Sequence, residues 1–239
     1  MFFKKKKQRE IDLEHLPKHI AFICDGNRRW ARSKGLPTLL GHKEGVEAIK
    51  RIIRRASEIN MENLTFFCFS TENFDRSKEE VDYLFDLFRG IEKLKGDLIK
   101  RDYRFHHTGD RSLIPQDILD IIDDMEASTS NCKRGTVNIA FCYGGRNDIV
   151  NAVKRIIKEK VKPEDITEES FKKYLTTGNM PDVDLLVRTS GEQRISGFML
   201  YNMPYAEFYF VKKHWPAFKE EDLDDCIAEF QSRHRRFGK

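Results

Sequence analysis

Six short apolar runs, each followed by a polar turn or an amphipathic stretch, restrict this chain to a small set of folds. The runs are His19 to Cys24, Leu64 to Ser70, Arg104 to His107, Val137 to Tyr143, Leu185 to Arg188 and Glu207 to Val211. Between them Val46, Ile49, Ile52, Ile53, Ala56 and Ile59 recur at helical spacing. So do Ile149, Val150, Val153, Ile156 and Ile157, in a helix expected to open at Asn147 or Asp148. A longer helix is expected from Lys78 to about Lys100, with Val81, Leu84, Phe85, Leu87, Phe88, Ile91 and Leu94 on it. Strands alternating with helices predict an α/β fold: a mainly parallel central sheet of about six strands, flanked by helices on both faces. No repeat, low-complexity segment or linker interrupts the order. The expectation is a single domain over residues 17–239, behind a basic, flexible segment over 1–16.

A chain of 239 residues is long enough for one sizeable core. Its 39% hydrophobic residues can build that core, and its 34% charged residues can solvate the outside. The net charge of +4 suits an anionic substrate or a loose membrane contact and is too small to indicate nucleic acid. Five cysteines form no C-x-x-C pair, so they read as reduced thiols, mostly buried, in a cytoplasmic protein. Phe2-Phe3-Lys4-Lys5-Lys6-Lys7 starts like a signal peptide, but Gln8-Arg9-Glu10 stands where an apolar core belongs. No segment is long enough to span a bilayer. The lysine run is either a frayed tail or a peripheral contact with the anionic inner face of a membrane.

Polar clusters follow four of the runs. Cys24-Asp25-Gly26-Asn27-Arg28-Arg29-Trp30 releases a carboxylate, a flexible glycine and two guanidinium groups at a strand end. The carboxylate can hold Mg²⁺, and paired arginines suit phosphate oxygens. Read alone, the cluster is equally a strand-to-helix turn with a solvated salt bridge. Ser70-Thr71-Glu72-Asn73, Tyr143-Gly144-Gly145-Arg146 and Arg188-Thr189-Ser190-Gly191-Glu192 stand in the same relation to their runs. A parallel sheet gathers such ends on one edge, where α/β folds bind ligands.

Within these clusters Ser70 and Asn73 offer neutral hydrogen bonds, and Arg76 can reach a phosphate. As a turn alone, the same stretch is ordinary. Arg188, Arg194 and the hydroxyls around Gly191 add further anion-binding groups. Glu207 is a second candidate metal carboxylate, or an exposed strand-start glutamate. Gly41-His42-Lys43-Glu44-Gly45 precedes an amphipathic pattern whose first amides could receive a phosphate, with His42 as donor or as a packed residue. It is no P-loop, because His42 stands where lysine is needed.

These residues resemble the cis-prenyltransferases of the undecaprenyl diphosphate synthase family. The likeness runs through His19–Trp30, Gly41-His42, Phe69–Arg76, Asn138–Asp148, Arg188–Ser196, Tyr205-Ala206-Glu207 and Arg235-Arg236-Phe237-Gly238, in that order. It implies a homodimer whose catalytic domain, over 17–239, contains a hydrophobic product tunnel. It also implies Mg²⁺-dependent condensation of isopentenyl diphosphate onto an allylic diphosphate such as farnesyl diphosphate, each new double bond being cis. Asp25 and Asn73 are then the catalytic residues, with Asp25 and Glu207 on the metal. Gly26, Asn27, Arg28, Arg29, Trp30 and His42 line the allylic pocket. Ser70, Thr71, Glu72, Phe74 and Arg76 complete substrate binding. Arg188, Arg194, Ile195 and Ser196 hold isopentenyl diphosphate, with Arg236 and Gly238 reaching across the dimer. Asn73, a neutral amide and a poor base, is expected to position a diphosphate oxygen or water that takes the proton. The Phe-rich segment after Arg76 reads as tunnel wall or as plain core face.

Three positions depart from the family pattern. Thr38 stands in place of an arginine, Phe74 in place of a tryptophan and Gly197 in place of an asparagine. Phe141 and Cys68 occupy strand positions where long-chain members carry small residues, which implies a product shorter than undecaprenyl diphosphate. A different class of function, a non-catalytic subunit supporting an active partner, conflicts with the presence of Asp25, Asn73, Arg188, Arg194 and Glu207. The D-D-x-x-D motif of trans-prenyltransferases is missing, since Ala127 and Ala228 occupy the fifth places after Asp123 and Asp224.

Overall fold

The computed structural model describes residues 10–235. The expectations placed on Phe2–Lys7, Arg236 and Gly238 lie outside the described residues. Six strands form one sheet: β1 (His19–Ile23), β2 (Asn63–Ser70), β3 (Tyr103–Thr108), β4 (Gly135–Tyr143), β5 (Leu185–Arg188) and β6 (Glu207–Phe210). The strand order is β3-β4-β2-β1-β5-β6, and every pairing is parallel. From β1 the chain builds outward on one side and then returns to lay β5 on the other. The strand order therefore reverses at β1, and the crevice beyond its C-terminal end is where such sheets bind ligands.

β1, β4 and β5 are buried along their whole length because both faces of the sheet are covered there. In β1, Ile20 and Phe22 point to the larger core and Ala21 and Ile23 to the smaller one. The larger core also takes Ile49, Ile52 and Ile53 from α2 (Thr38–Glu58), and Leu84, Phe85 and Phe88 from α3 (Lys78–Arg89). Phe22 and Phe66 stack at 5.2 Å in its centre and are fully buried. Cutting such a ring to alanine costs about 3–5 kcal/mol.

Three helix expectations need correction. The helix expected after Gly45 begins at Thr38, so Gly41 and His42 lie inside α2 and their amides are not a helix N-terminus. Gly41 serves packing instead: a Cβ there would fall 2.1 Å from the Asn27 carbonyl oxygen on α1 (Asn27–Ser33). The helix expected over Lys78–Lys100 is broken, with a 3₁₀ turn over Gly90–Leu94 between α3 and α4 (Lys95–Lys100). Glycine at that point weakens the helix. The helix expected to open at Asn147 or Asp148 begins at Gly145 behind Gly144. Asn147 instead donates to Asp110 Oδ2 at 3.1 Å, and Asp148 Oδ1 accepts from the Thr176 amide at 2.9 Å.

Candidate active site

Beyond Ile23 the chain turns through Asp25 and Gly26 into α1. Gly26 has φ 99°, in the left-handed region. A Cβ there would also lie 2.4 Å from Ser190 Oγ and 2.7 Å from His214 Nδ1. Those two groups hydrogen-bond each other at 2.6 Å. Trp215 N and Thr189 Oγ1 both donate to the Asp25 carbonyl, at 3.0 and 2.7 Å. The ends of β1, β5 and β6 are thereby interlocked around one residue.

Asp25 projects from this knot. Its Oδ2 accepts from Arg188 Nη2 at 3.0 Å and its Oδ1 from Arg29 Nη2 at 3.1 Å. Burial pushes its pKa up, but the hydrogen bonds and charges of Arg188 and Arg29 outweigh burial and hold the carboxyl below its ordinary range. Arg29 also donates to Glu192 Oε1 at 2.8 Å. Arg188 donates to the Arg194 carbonyl and, at 2.9 Å, to Ser196 Oγ, closing the turn after β5.

A cavity of about 530 Å³ opens over these groups. It brings together Asp25, Gly26, Asn27, Arg28, Arg29, His42, Ser70, Asn73, Arg76, Arg188 and Ser196. Asn73 Oδ1 accepts from the Ser70 amide at 3.2 Å, which leaves its Nδ2 as the group that faces a ligand. Trp30, Thr71, Glu72, Phe74, Arg194, Ile195 and Glu207 do not line this cavity. Phe74 packs edge-on against Phe69 at 5.0 Å, and Arg194 pairs with Glu192 at 2.5 Å on the surface.

Glu207 belongs elsewhere within one chain. It opens β6 in register with Leu185, whereas Asp25 lies past the other end of β5. Its Oε2 accepts from Arg233 Nη1 at 2.9 Å. Among the described residues no three His, Cys, Asp or Glu side chains gather as a metal site. One chain therefore does not bring Asp25 and Glu207 onto a common ion.

Two residues that the sequence reading passes over matter here. Arg32 lines the cavity. Its signal is the i+4 step from Arg28, which puts both on one face of α1. Glu80, buried on α3, collects the cationic side: Oε1 accepts from His42 Nε2 at 3.1 Å and Arg76 Nη1 at 3.0 Å. Its Oε2 lies 3.3 Å from Arg28 Nη1. Burial holds the His42 pKa below its ordinary value, against the pull of Glu80.

A second, apolar cavity of about 90 Å³ lies between α2, α3 and the sheet. Cys24, Asn27, His42 and Cys68 line both cavities, so the two meet at those side chains. Val46, Ile49, Leu84, Phe88, Ile91 and Phe141 are among its walls. Phe88 and Phe141 stack at 4.1 Å.

Residues 23–238 match the family described as "Putative undecaprenyl diphosphate synthase". An isoprenyl transferase of Listeria innocua is 42% identical over 228 residues, covering 93% of this chain and 90% of the relative. The tritrans,polycis-undecaprenyl-diphosphate synthase (geranylgeranyl-diphosphate specific) of Thermococcus kodakarensis is 43% identical, covering 94% of this chain and 88% of the relative. The crystal structure of lavandulyl diphosphate synthase from Lavandula x intermedia, in complex with dimethylallyl diphosphate, superposes with a TM-score of 0.89. It is 38% identical and covers 94% of this chain and 99% of that one. With the family match spanning nearly all of its length and the strand-end cavity built from the same motifs, this chain belongs to the undecaprenyl diphosphate synthase family of prenyltransferases.

Proposed function

We propose that this chain condenses isopentenyl diphosphate onto an allylic diphosphate, with Mg²⁺, to give a Z-polyprenyl diphosphate. The observation that carries the reading is the junction of a cationic cavity with an apolar one at Cys24, Asn27, His42 and Cys68. A diphosphate with a prenyl tail needs both environments, joined at its C1 carbon.

On this reading Arg28, Arg29, Arg32 and Arg76 take the allylic diphosphate with His42, while Arg188, Arg194 and Ser196 take isopentenyl diphosphate. Each charge-assisted bond contributes about 1.5–3 kcal/mol. Asn73 donates through Nδ2 and so orients an oxygen that takes the proton. Cys24 and Cys68 line the junction as neutral thiols, because burial pushes the Cys68 pKa to about 12 and raises that of Cys24 as well. Neutral thiols are poor nucleophiles, so they do not intercept a carbocation-like allyl group.

Asp25 fits Mg²⁺, since this ion is ordinarily held by one or two carboxylates together with substrate phosphates. Asp25 would hold the ion, which would supply charge neutralisation for a diphosphate leaving group. A homodimer is supported by the outer stripe of α6 (Gly145–Lys158), where Val150, Val153 and Ile157 are 51%, 43% and 70% exposed. Glu207 on the edge strand β6 would meet a second site only through such a partner. No helix among the described residues is long and apolar enough to cross a membrane. Any membrane contact would be peripheral, and we place the protein in the cytoplasm.

The apolar cavity is the start of the product tunnel, and Phe141 closes it early. The product is therefore shorter than undecaprenyl diphosphate. The relatives' names carry different allylic diphosphates, so primer choice rests on this chain's own residues, Thr38 and Arg32 among them. Incubation with Mg²⁺, farnesyl diphosphate and labelled isopentenyl diphosphate tests the reaction. Incorporation that disappears in Asp25→Asn supports it; no incorporation by the parent chain rejects it.

A further inference from the structure

Phe141 lies on the same face of β4 as Val137 and Ile139, towards the apolar cavity, and the sheet becomes irregular just beside it. β2 and β4 pair Phe67 with Ala140, then Phe69 with Phe141, then Ser70 with Tyr143, so Cys68 and Cys142 are each left without a register partner. Cys142 has φ 54°. An extra residue in a ladder bends the strand and re-aims its side chains. Here the normal alternation breaks: Phe141 and Cys142 both face the larger core, while Ala140 and Tyr143 face the smaller.

The irregular backbone is held by a side chain from the neighbouring strand. The β3–β4 register ends at Thr108 with Ala140. Just beyond it, His107 Nε2 lies 3.0 Å from the Phe141 carbonyl oxygen. A carbonyl only accepts, so the imidazole proton sits on Nε2. Burial lowers the His107 pKa to about 4, which keeps the ring neutral at pH 7. Its own amide donates to Glu126 Oε1 at 3.0 Å, tying it to α5 (Gln116–Thr129). The ring also meets Phe88 edge-on at 6.4 Å and 78°. Phe88 and Phe141 line the cavity and His107 does not, so the imidazole stands behind the stacked pair.

We propose that His107 is a specificity-determining positioning residue: by gripping the Phe141 carbonyl and bracing Phe88, it fixes the two-ring wall that ends the cavity and thereby sets product length. This rests on the reading that the growing chain enters the apolar cavity. His107 touches no substrate; it acts through the two rings. Losing its hydrogen bond frees the backbone of the irregular segment, and the wall can then yield to additional isoprene units.

The test compares product lengths, by mass spectrometry, for the parent chain, Phe141→Ala, His107→Leu, His107→Gln and the Phe141→Ala/His107→Leu double variant. Phe141→Ala lengthens the product if the cavity reading is right; an unchanged length there rejects that reading itself. Given that lengthening, His107→Leu raises the ratio of longer to parent product by about tenfold. The allylic KM stays within about twofold, because no phosphate contact is lost. His107→Gln, which keeps an N–H donor, retains the parent length, and the double variant adds nothing to Phe141→Ala. Should His107→Leu not fold, His107→Asn, too short to reach the carbonyl, takes its place with the same expectation. A folded His107→Leu or His107→Asn that makes the parent product, while Phe141→Ala lengthens it, overturns the inference on His107 alone.

Discussion

Arg188 Nη2 stands 3.0 Å from Asp25 Oδ2, tying the end of β5 to the turn beyond β1. The pair sits where the strand order reverses, so one ion pair links the carboxylate proposed to hold Mg²⁺ with an arginine proposed to hold isopentenyl diphosphate. Because it is only partly buried, its worth lies in geometry more than in stability.

Arg188→Met removes one of the two arginines that hold Asp25 below the ordinary carboxylate range. Burial then acts with less opposition, and the Asp25 pKa rises. The acid limb of kcat/KM is expected to move to higher pH, with a loss on the order of a hundredfold at neutral pH. A pH–rate profile checks both. An unmoved acid limb would show that another group governs it.

Glu80→Gln keeps the shape of the buried anchor and removes its charge. The one remaining amide oxygen cannot replace a carboxylate that serves His42, Arg28 and Arg76 together, and the amide NH2 faces cations. The allylic KM is expected to rise about tenfold while the isopentenyl KM changes little. Equal effects on both substrates would mean that Glu80 supports the whole fold instead of one pocket.

Thr38 does not line the cationic cavity, and Arg32 does. Arg32→Ala is expected to raise the allylic KM about tenfold, the cost of one charge-assisted contact. Thr38→Arg, restoring the family's cation, should lower the allylic KM of the parent and recover part of the loss in Arg32→Ala. Initial-rate kinetics decide it; no change with Thr38→Arg would sink the idea.

Acid should unfold the protein through two histidines that do not line the cationic cavity. Burial lowers the pKa of both His19 and His107 to about 4. Between pH 6.5 and about 4 the unfolded chain binds protons that the folded chain refuses, so stability falls as pH falls. Each site contributes on the order of 3 kcal/mol to that fall at about 1.36 kcal/mol per unit. His19→Asn should flatten the slope of urea-unfolding free energy over this window. A slope identical to the parent's would contradict the assignment.

The strands are legible in the sequence because a two-sided parallel sheet forces continuous apolar runs, and their polar ends are legible because the turns that follow carry charge. The chemistry clusters around Asp25, Ser70 and Arg188 follow from that edge. Other features depend on tertiary context that no local pattern holds. α2 starts at Thr38 because Pro37 can precede a helix, well before the apolar period begins. Glu80 reads as one more acidic residue in a helix's first turn until α2 and α1 bring His42 and Arg28 to it. Phe141 is legible as a residue of the face that Val137 and Ile139 share, whereas the paired irregularities at Cys68 and Cys142, which turn Cys142 to that face as well, are not. Glu207 shows the converse: its motif is legible, yet β6 places it away from Asp25 within one chain.

The most direct test is the product that the purified chain makes from farnesyl diphosphate, isopentenyl diphosphate and Mg²⁺, sized by mass spectrometry with double-bond geometry read by NMR. The expected result is a polyprenyl diphosphate shorter than undecaprenyl diphosphate in which every added unit is Z. Failure to extend any allylic diphosphate, or added units with E geometry, would contradict the account.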